Sequence, residues 1–201
     1  MLKDIEKLFG SPARVRVMRY FLSHKDEVVA IENLPNITKV PRAAITKELT
    51  LLKKLNFLQE MIIEEFYEGK KQTKKKPAVR LNKDFSYNDT LATVLLDFRF
   101  IDQKEIVENF KNYGKVKLLV LGGIFTRSDK SKLDILVVGD SMDKTGVEKV
   151  VKNIEAEMGT ELTFSVFETD EFKYRMEMYD RFLRDFLKSD VQLLVEKIST
   201  R

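Results

Sequence analysis

The stretch VPRAAITKELTLLKKLNFL, residues Val40 to Leu58, decides the fold of the first half of the chain. Its apolar residues recur at helical spacing, which predicts an amphipathic helix from about Arg42 to Leu55 after a turn at Val40 and Pro41. The predicted buried stripe comprises Ala44, Ile45, Leu49, Leu51, Leu52 and Leu55. The opposite face is basic and bears hydroxyl groups, and comprises Arg42, Ala43, Thr46, Lys47, Thr50, Lys53 and Lys54.

Two further helices precede this one. The hydroxyl of Ser11 followed by Pro12 is typical of a helix start, and the apolar pattern continues to about Ser23. A second short helix fits residues 31–38. The sequence therefore predicts three helices separated by short turns.

A lysine-rich hairpin follows the three helices. Residues 57–66 and 78–81 have the composition of two strands, and the lysine segment between them is predicted to form the tip. Residues 69–80 hold six basic residues and no acid: Lys70, Lys71, Lys74, Lys75, Lys76 and Arg80. Residues 1–90 carry 18 basic and 12 acidic residues, a net charge of +6, whereas the remainder carries 18 and 20, a net charge of −2. The positive charge is thus concentrated in the first half.

Residues 11–81 resemble a winged helix-turn-helix domain of the small prokaryotic repressor type, and the run from Val40 to Leu58 carries the likeness. The resemblance implies a domain over residues 1–90 that binds double-stranded DNA, because an exposed basic helix face can enter the major groove. The alternative to DNA binding is that the helix face and the hairpin are only solvated surfaces. This alternative is favoured by four acids on the same hairpin, Glu60, Glu64, Glu65 and Glu68. The candidate DNA-binding residues are Arg42, Thr46, Lys47, Thr50, Lys70, Lys71, Lys74, Lys75 and Lys76.

The second half of the chain has a different pattern. Apolar strands are predicted at residues 118–121 and 133–138, with Gly122 and Gly123 ending the first of them. Helices at residues 144–158, 170–178 and 181–188 alternate with strands at 161–167 and 191–195. We therefore predict an α/β chain of the α+β kind: a first domain over residues 1–90, a helical linker or dimerisation region over 91–114, and a mixed sheet with flanking helices over 115–201.

Residues 117–195 are similar to the small nucleotidyltransferase domain of the DNA polymerase beta-like superfamily, on the segment LLVLGGIFTRSDKSKLDILVVGD, Leu118 to Asp140. In that family a glycine pair precedes two acids, two positions apart on a strand, that hold magnesium. Here Gly122 and Gly123 match the pair and Asp134 matches the second acid, but Lys132 takes the place of the first. No third acid lies in residues 162–167. The resemblance thus implies a catalytically inactive relative, with no metal and no cofactor.

A nucleotide or phosphate remains a candidate ligand of the glycine turn. The alternative is that the glycines only permit close packing between a strand and the segment after it. The candidate anion-binding residues are Gly122, Gly123, Arg127, Lys130, Lys132 and Asp134.

Composition excludes several classes of site. The chain has no cysteine and a single histidine, His24, which excludes disulfides, thiolate nucleophiles and cysteine-ligated zinc. Its first residues do not have the pattern of a signal peptide, and no apolar run reaches the ~18 residues of a membrane span.

We expect a cytoplasmic, homodimeric DNA-binding transcriptional regulator without membrane contact. The alternatives are an active magnesium-dependent nucleotidyltransferase that docks its acceptor through the winged helix, and an interaction module that does not bind DNA.

Overall fold

The chain is an α+β protein, which confirms the predicted fold class, and it forms two compact units. A computed structural model describes residues 2–66, 73–98, 102–126, 128 and 131–199. The first unit comprises Met1–Asp97 with Ala156–Thr160, and the second comprises Phe98–Glu155 with Glu161–Arg201. The region predicted as a helical linker is therefore divided between the units near residue 97.

The first unit combines helices with a three-stranded antiparallel sheet. The strands run in the order β1 (Val28–Ala30), β3 (Thr73–Leu81), β2 (Leu58–Phe66), and β2 and β3 form the long hairpin. Ser11 caps α2 as predicted, because its hydroxyl accepts a hydrogen bond from the Arg14 N–H at 3.2 Å. The elements are α1 (Leu2–Leu8), α2 (Pro12–Ser23), β1 (Val28–Ala30), α3 (Leu34–Thr38), α4 (Arg42–Lys54), β2 (Leu58–Phe66), β3 (Thr73–Leu81) and α5 (Asn88–Leu95).

Helix α4 packs on the unit through one face. The buried residues are Ile45, Glu48, Leu49 and Leu52, which recur at intervals of three, one and three as helical geometry requires. The prediction that Leu55 lies in this stripe is wrong, since Leu55 is 53% exposed. Leu55 follows the last turn of α4, and the left-handed backbone of Asn56 (φ 59°) then directs the chain into β2.

The hairpin is longer than predicted. Strand β3 begins at Thr73, so Lys74, Lys75 and Lys76 lie on a strand and not at the tip. Pairing continues to Phe66 opposite Thr73. The predicted start of α3 at residue 31 is also wrong, because α3 begins at Leu34 and β1 runs up to Ala30.

The second unit contains a four-stranded mixed sheet with flanking helices. Its strands run in the order β6 (Phe164–Glu168), β5 (Ile135–Asp140), β4 (Lys115–Leu121), β7 (Gln192–Glu196). Strands β5 and β6 are parallel and the other neighbours are antiparallel. A short 3-10 turn at Gly123–Phe125 takes the place of a helix after the glycine pair. The elements are α6 (Gln103–Lys111), β4 (Lys115–Leu121), β5 (Ile135–Asp140), α7 (Lys144–Met158), β6 (Phe164–Glu168), α8 (Thr169–Glu177), α9 (Arg181–Lys188) and β7 (Gln192–Glu196).

Within the described part of the chain, no helix has both the length and the apolar composition needed to cross a bilayer.

Each unit has its own apolar core. The largest buried apolar side chains of the first unit include Phe21, Leu22, Leu34, Ile45, Leu52, Phe57 and Leu81. The buried apolar core of the second unit includes Leu118, Val120, Leu136, Val138, Phe172, Leu183 and Phe186.

Two leucines near the end of α4 provide a matched test of how this helix is oriented. Leu52 is 1% exposed and Leu55 is 53% exposed. We expect Leu52→Ala to lower the free energy of unfolding by about 2–5 kcal/mol, because it leaves a cavity in the core. Leu55→Ala should lower it by less than about 1 kcal/mol. Urea denaturation followed by circular dichroism measures both, and equal losses would contradict the orientation described here.

Candidate nucleic-acid interface

The outer face of helix α4 presents cationic and hydroxyl side chains together. Arg42, Thr46, Lys47 and Thr50 are all exposed, and their spacing places them on one side of the helix. The Thr46 hydroxyl donates to the Arg42 carbonyl at 3.0 Å, and the Thr50 hydroxyl donates to the Thr46 carbonyl at 2.9 Å. Their lone pairs remain able to accept hydrogen bonds. The structure thus brings together the four residues predicted from α4.

The inner face of α4 is held by a largely buried ion pair. Arg14 Nε of helix α2 donates to Glu48 Oε2 at 2.8 Å, and the Glu48 side chain is only 5% exposed. Arg14 Nη1 also donates to the Phe9 carbonyl at 2.6 Å. Charge-assisted hydrogen bonds of this kind are directional, so the pair fixes the rotation of α4 about its axis. Sequence reasoning missed this pair, although Glu48 stands at the spacing of the buried stripe.

The cations of α4 differ in whether they have acidic partners. Among the described residues, neither Arg42 nor Lys47 has a carboxylate oxygen within 4.0 Å. Lys53 instead forms an ion pair with Glu60 of strand β2. Lys54 of the last turn is exposed and, like Arg42 and Lys47, has no such partner among the described residues, so the charge available to an anionic partner extends along the helix.

The β2–β3 hairpin carries lysines in three different situations. Lys75 lies opposite Glu64, with 4.0 Å between their charged atoms, and both side chains are more than half exposed. Lys76 Nζ contacts Glu32 Oε1 at 2.5 Å and its side chain is only 12% exposed, so Lys76 serves the packing of the unit and not its outer surface. Lys74 is exposed. The remaining predicted residues of the hairpin, Lys70 and Lys71, lie outside the described residues.

The glycine turn of the second unit is occupied by the protein's own carboxylate. Asp134 Oδ1 accepts a hydrogen bond from the Ile124 N–H at 2.9 Å, and Oδ2 accepts one from the Thr163 N–H at 2.8 Å. Gly123 has a φ of +50°, and a Cβ there would lie 2.1 Å from Asp134 Oδ1. The glycine is required for this close approach.

This arrangement opposes the anion-binding prediction for the turn. The Ile124 N–H would have to release Asp134 before it could donate to a phosphate, and the carboxylate repels an anion. Asp134 is held by backbone N–H groups, and the ammonium of Lys132, which takes the place of the family's first acid, does not lie within 4.0 Å of a carboxylate among the described residues. A Cβ on Gly122 would lie 2.6 Å from Phe186, which agrees with a packing role. Arg127 and Lys130 lie outside the described residues.

Two other carboxylates at the ends of strands β5 and β6 are also engaged. Glu168 accepts hydrogen bonds from the Ser141 and Met142 N–H groups at 3.0 and 2.9 Å. The Thr169 hydroxyl donates to Asp140 at 2.5 Å, and this hydrogen bond lowers the pKa of the Asp140 carboxyl. Among the described residues there is no group of three or more potential side-chain ligands for a metal ion.

No protein-family model matches this chain, and neither does any curated protein or solved structure with which it was compared.

The role of Asp134 predicts a loss of stability on truncation. We expect Asp134→Ala to lower the free energy of unfolding by about 2–4 kcal/mol, because two backbone N–H groups lose a charged acceptor. Asp190→Ala, which removes an exposed carboxylate from the same unit, serves as the control and should change it by less than about 0.5 kcal/mol. Chemical denaturation measures both. A wild-type melting temperature that rises with Mg²⁺, while that of Asp134→Ala does not, would instead identify a cation site.

Proposed function

We propose that the protein is a cytoplasmic DNA-binding transcriptional regulator whose first unit is a winged helix-turn-helix domain. The observation that carries the proposal is the outer face of α4, where Arg42 and Lys47 stand beside the hydroxyls of Thr46 and Thr50. The order of helices followed by an antiparallel hairpin supports it.

In this proposal α4 is the recognition helix and enters the major groove of duplex DNA. The groove is about 12 Å wide and admits a helix, and its base edges offer acceptors to arginine and lysine. Arg42 lies at the start of α4, where recognition helices reach base edges. Thr46 and Thr50 would contact bases or phosphate oxygens. Direct readout of sequence is thus assigned to α4.

The hairpin would contact the phosphate backbone beside the groove. Lys74 and Lys75 are exposed on β3, and the contact between Lys75 and Glu64 is long and solvated. An exposed pair of this kind is worth at most about 1 kcal/mol, so a phosphate can replace the carboxylate at small cost. Such contacts fix the register on DNA without reading its sequence.

The second unit has no catalytic step in this proposal, because Asp134, Asp140 and Glu168 are engaged by protein groups. A scaffolding, sensing or dimerisation role remains for it. We propose that the protein binds DNA as a homodimer, which would place two α4 helices about one DNA turn apart on a symmetric site. The apolar face of α6 does not supply the dimer contact, since Ile106 and Phe110 are buried within their own unit.

Selection of bound fragments from random duplex DNA, followed by fluorescence anisotropy on the selected site, tests the proposal. We expect Arg42→Ala to weaken binding by about 1–3 kcal/mol and to relax specificity at one position. With about four phosphates neutralised, log K against log salt should have a slope near −3.6. Lys74→Gln with Lys75→Gln should weaken binding to all sequences and reduce the slope by about 2.

Lys25→Gln provides the control, because Lys25 is an exposed lysine of the same unit outside both α4 and the hairpin. It should leave affinity and slope close to those of the wild type. If Lys70, Lys71, Lys74, Lys75 and Lys76 are all changed to Glu and binding is retained, the hairpin makes no contact. If the wild-type protein binds no duplex, the alternative of an interaction module replaces this proposal.

A further inference from the structure

Helices α8 and α9 enclose a groove with an apolar floor. Its volume is about 760 Å³, and the segment after β7 closes one side. Phe172, Met176, Leu187 and Ile198 line it, and Phe172 is completely buried. Met176, Leu187 and Ile198 pack against the core of the second unit, so the floor continues that core to the surface.

The rim of the groove is basic. Lys173, Arg184 and Lys188 line it together with a single acid, Glu177. Among the described residues none of these three cations has a carboxylate oxygen within 4.0 Å. The rim of the groove is therefore positively charged, whereas residues 91–201 as a whole have a net charge of −2.

Other cations on the same two helices are neutralised. Arg175 contacts Glu171 at 3.1 Å and Asp180 at 3.2 Å. Arg181 contacts Asp185 at 3.5 Å. On these two helices, the cations that form ion pairs lie away from the groove, and the cations without acidic partners among the described residues lie along it.

An aromatic side chain positions one of these cations. The Arg184 guanidinium lies 4.8 Å from the centre of the Tyr179 ring. This cation–π contact orients the planar guanidinium and leaves its N–H groups free to donate at their edges. A carboxylate is the ligand group that such a planar fork binds with two parallel hydrogen bonds.

We infer that this groove binds a small organic anion with an apolar body and a carboxylate head. The body would lie on Met176, Leu187 and Ile198, beneath which Phe172 is buried, and the head would bind Arg184 and Lys188. The volume is within the range of about 300–1,000 Å³ typical of small-molecule sites. The site belongs to the second unit and does not depend on DNA binding by the first.

Isothermal titration calorimetry of the full chain with decanoate, below its micelle concentration, tests the inference, with decanol as the neutral probe. We expect one decanoate bound per chain, and binding of decanol at least tenfold weaker. Arg184→Gln with Lys188→Gln should weaken decanoate binding at least tenfold. Arg181→Gln removes a paired cation from the same helix and should leave it unchanged. Lys173→Gln with Lys188→Gln, at two exposed positions, provides a second variant pair if the first does not fold.

Methyl NMR spectra locate the probe independently of affinity. Decanoate should shift the methyl signals of Met176, Leu187 and Ile198 and leave those of the first unit unchanged. The inference is overturned by the absence of binding, by equal affinity for decanol, or by an equal effect of Arg181→Gln. It is also overturned if a second copy of the chain covers the groove. Sedimentation would then show a dimer that Tyr179→Ala dissociates and that decanoate does not dissociate.

Discussion

The burial of one face of helix α4 is the constraint on which the proposed DNA interface depends. Ile45, Leu49 and Leu52 face the core, and the buried Glu48 binds Arg14 of α2, so the helix cannot rotate without breaking an ion pair. Helical geometry then directs Arg42 and Lys47 outwards. The cationic surface is thus a consequence of packing and not of the composition of α4 alone.

The two units use charged side chains in opposite ways. On α4, Arg42 and Lys47 face solvent without acidic partners among the described residues, although Lys53 is paired with Glu60. In the second unit, the carboxylates that a metal site would need accept hydrogen bonds from the protein: Asp134 from two backbone N–H groups and Glu168 from two more. A carboxylate that accepts hydrogen bonds from backbone N–H groups stabilises a turn, and releasing it to a metal ion would remove those hydrogen bonds. This contrast is why we propose binding and not catalysis.

Much of the fold follows from local pattern, and the differences have identifiable causes. The predicted bounds of α7 and α9 agree with the structure because their apolar periodicity is regular and each helix is followed by a residue that ends it, Gly159 (φ 72°) after α7 and the C-cap Ser189 after α9. The prediction that Leu55 is buried is wrong because apolar periodicity does not indicate where a helix ends. The engagement of Lys76 by Glu32 and of Glu48 by Arg14 depends on contacts distant in sequence. Asp134 is singled out by the resemblance to a family motif, but its hydrogen bonds to the backbone are visible only in the three-dimensional structure.

The most direct test of the central claim is a map of amide chemical shifts on addition of a selected duplex. We expect the largest changes on the exposed face of α4 from Arg42 to Thr50, with smaller changes at Lys74 and Lys75. The amides around Asp134 should not move. Changes confined to the second unit, or none on α4 at saturating DNA, would contradict the central claim.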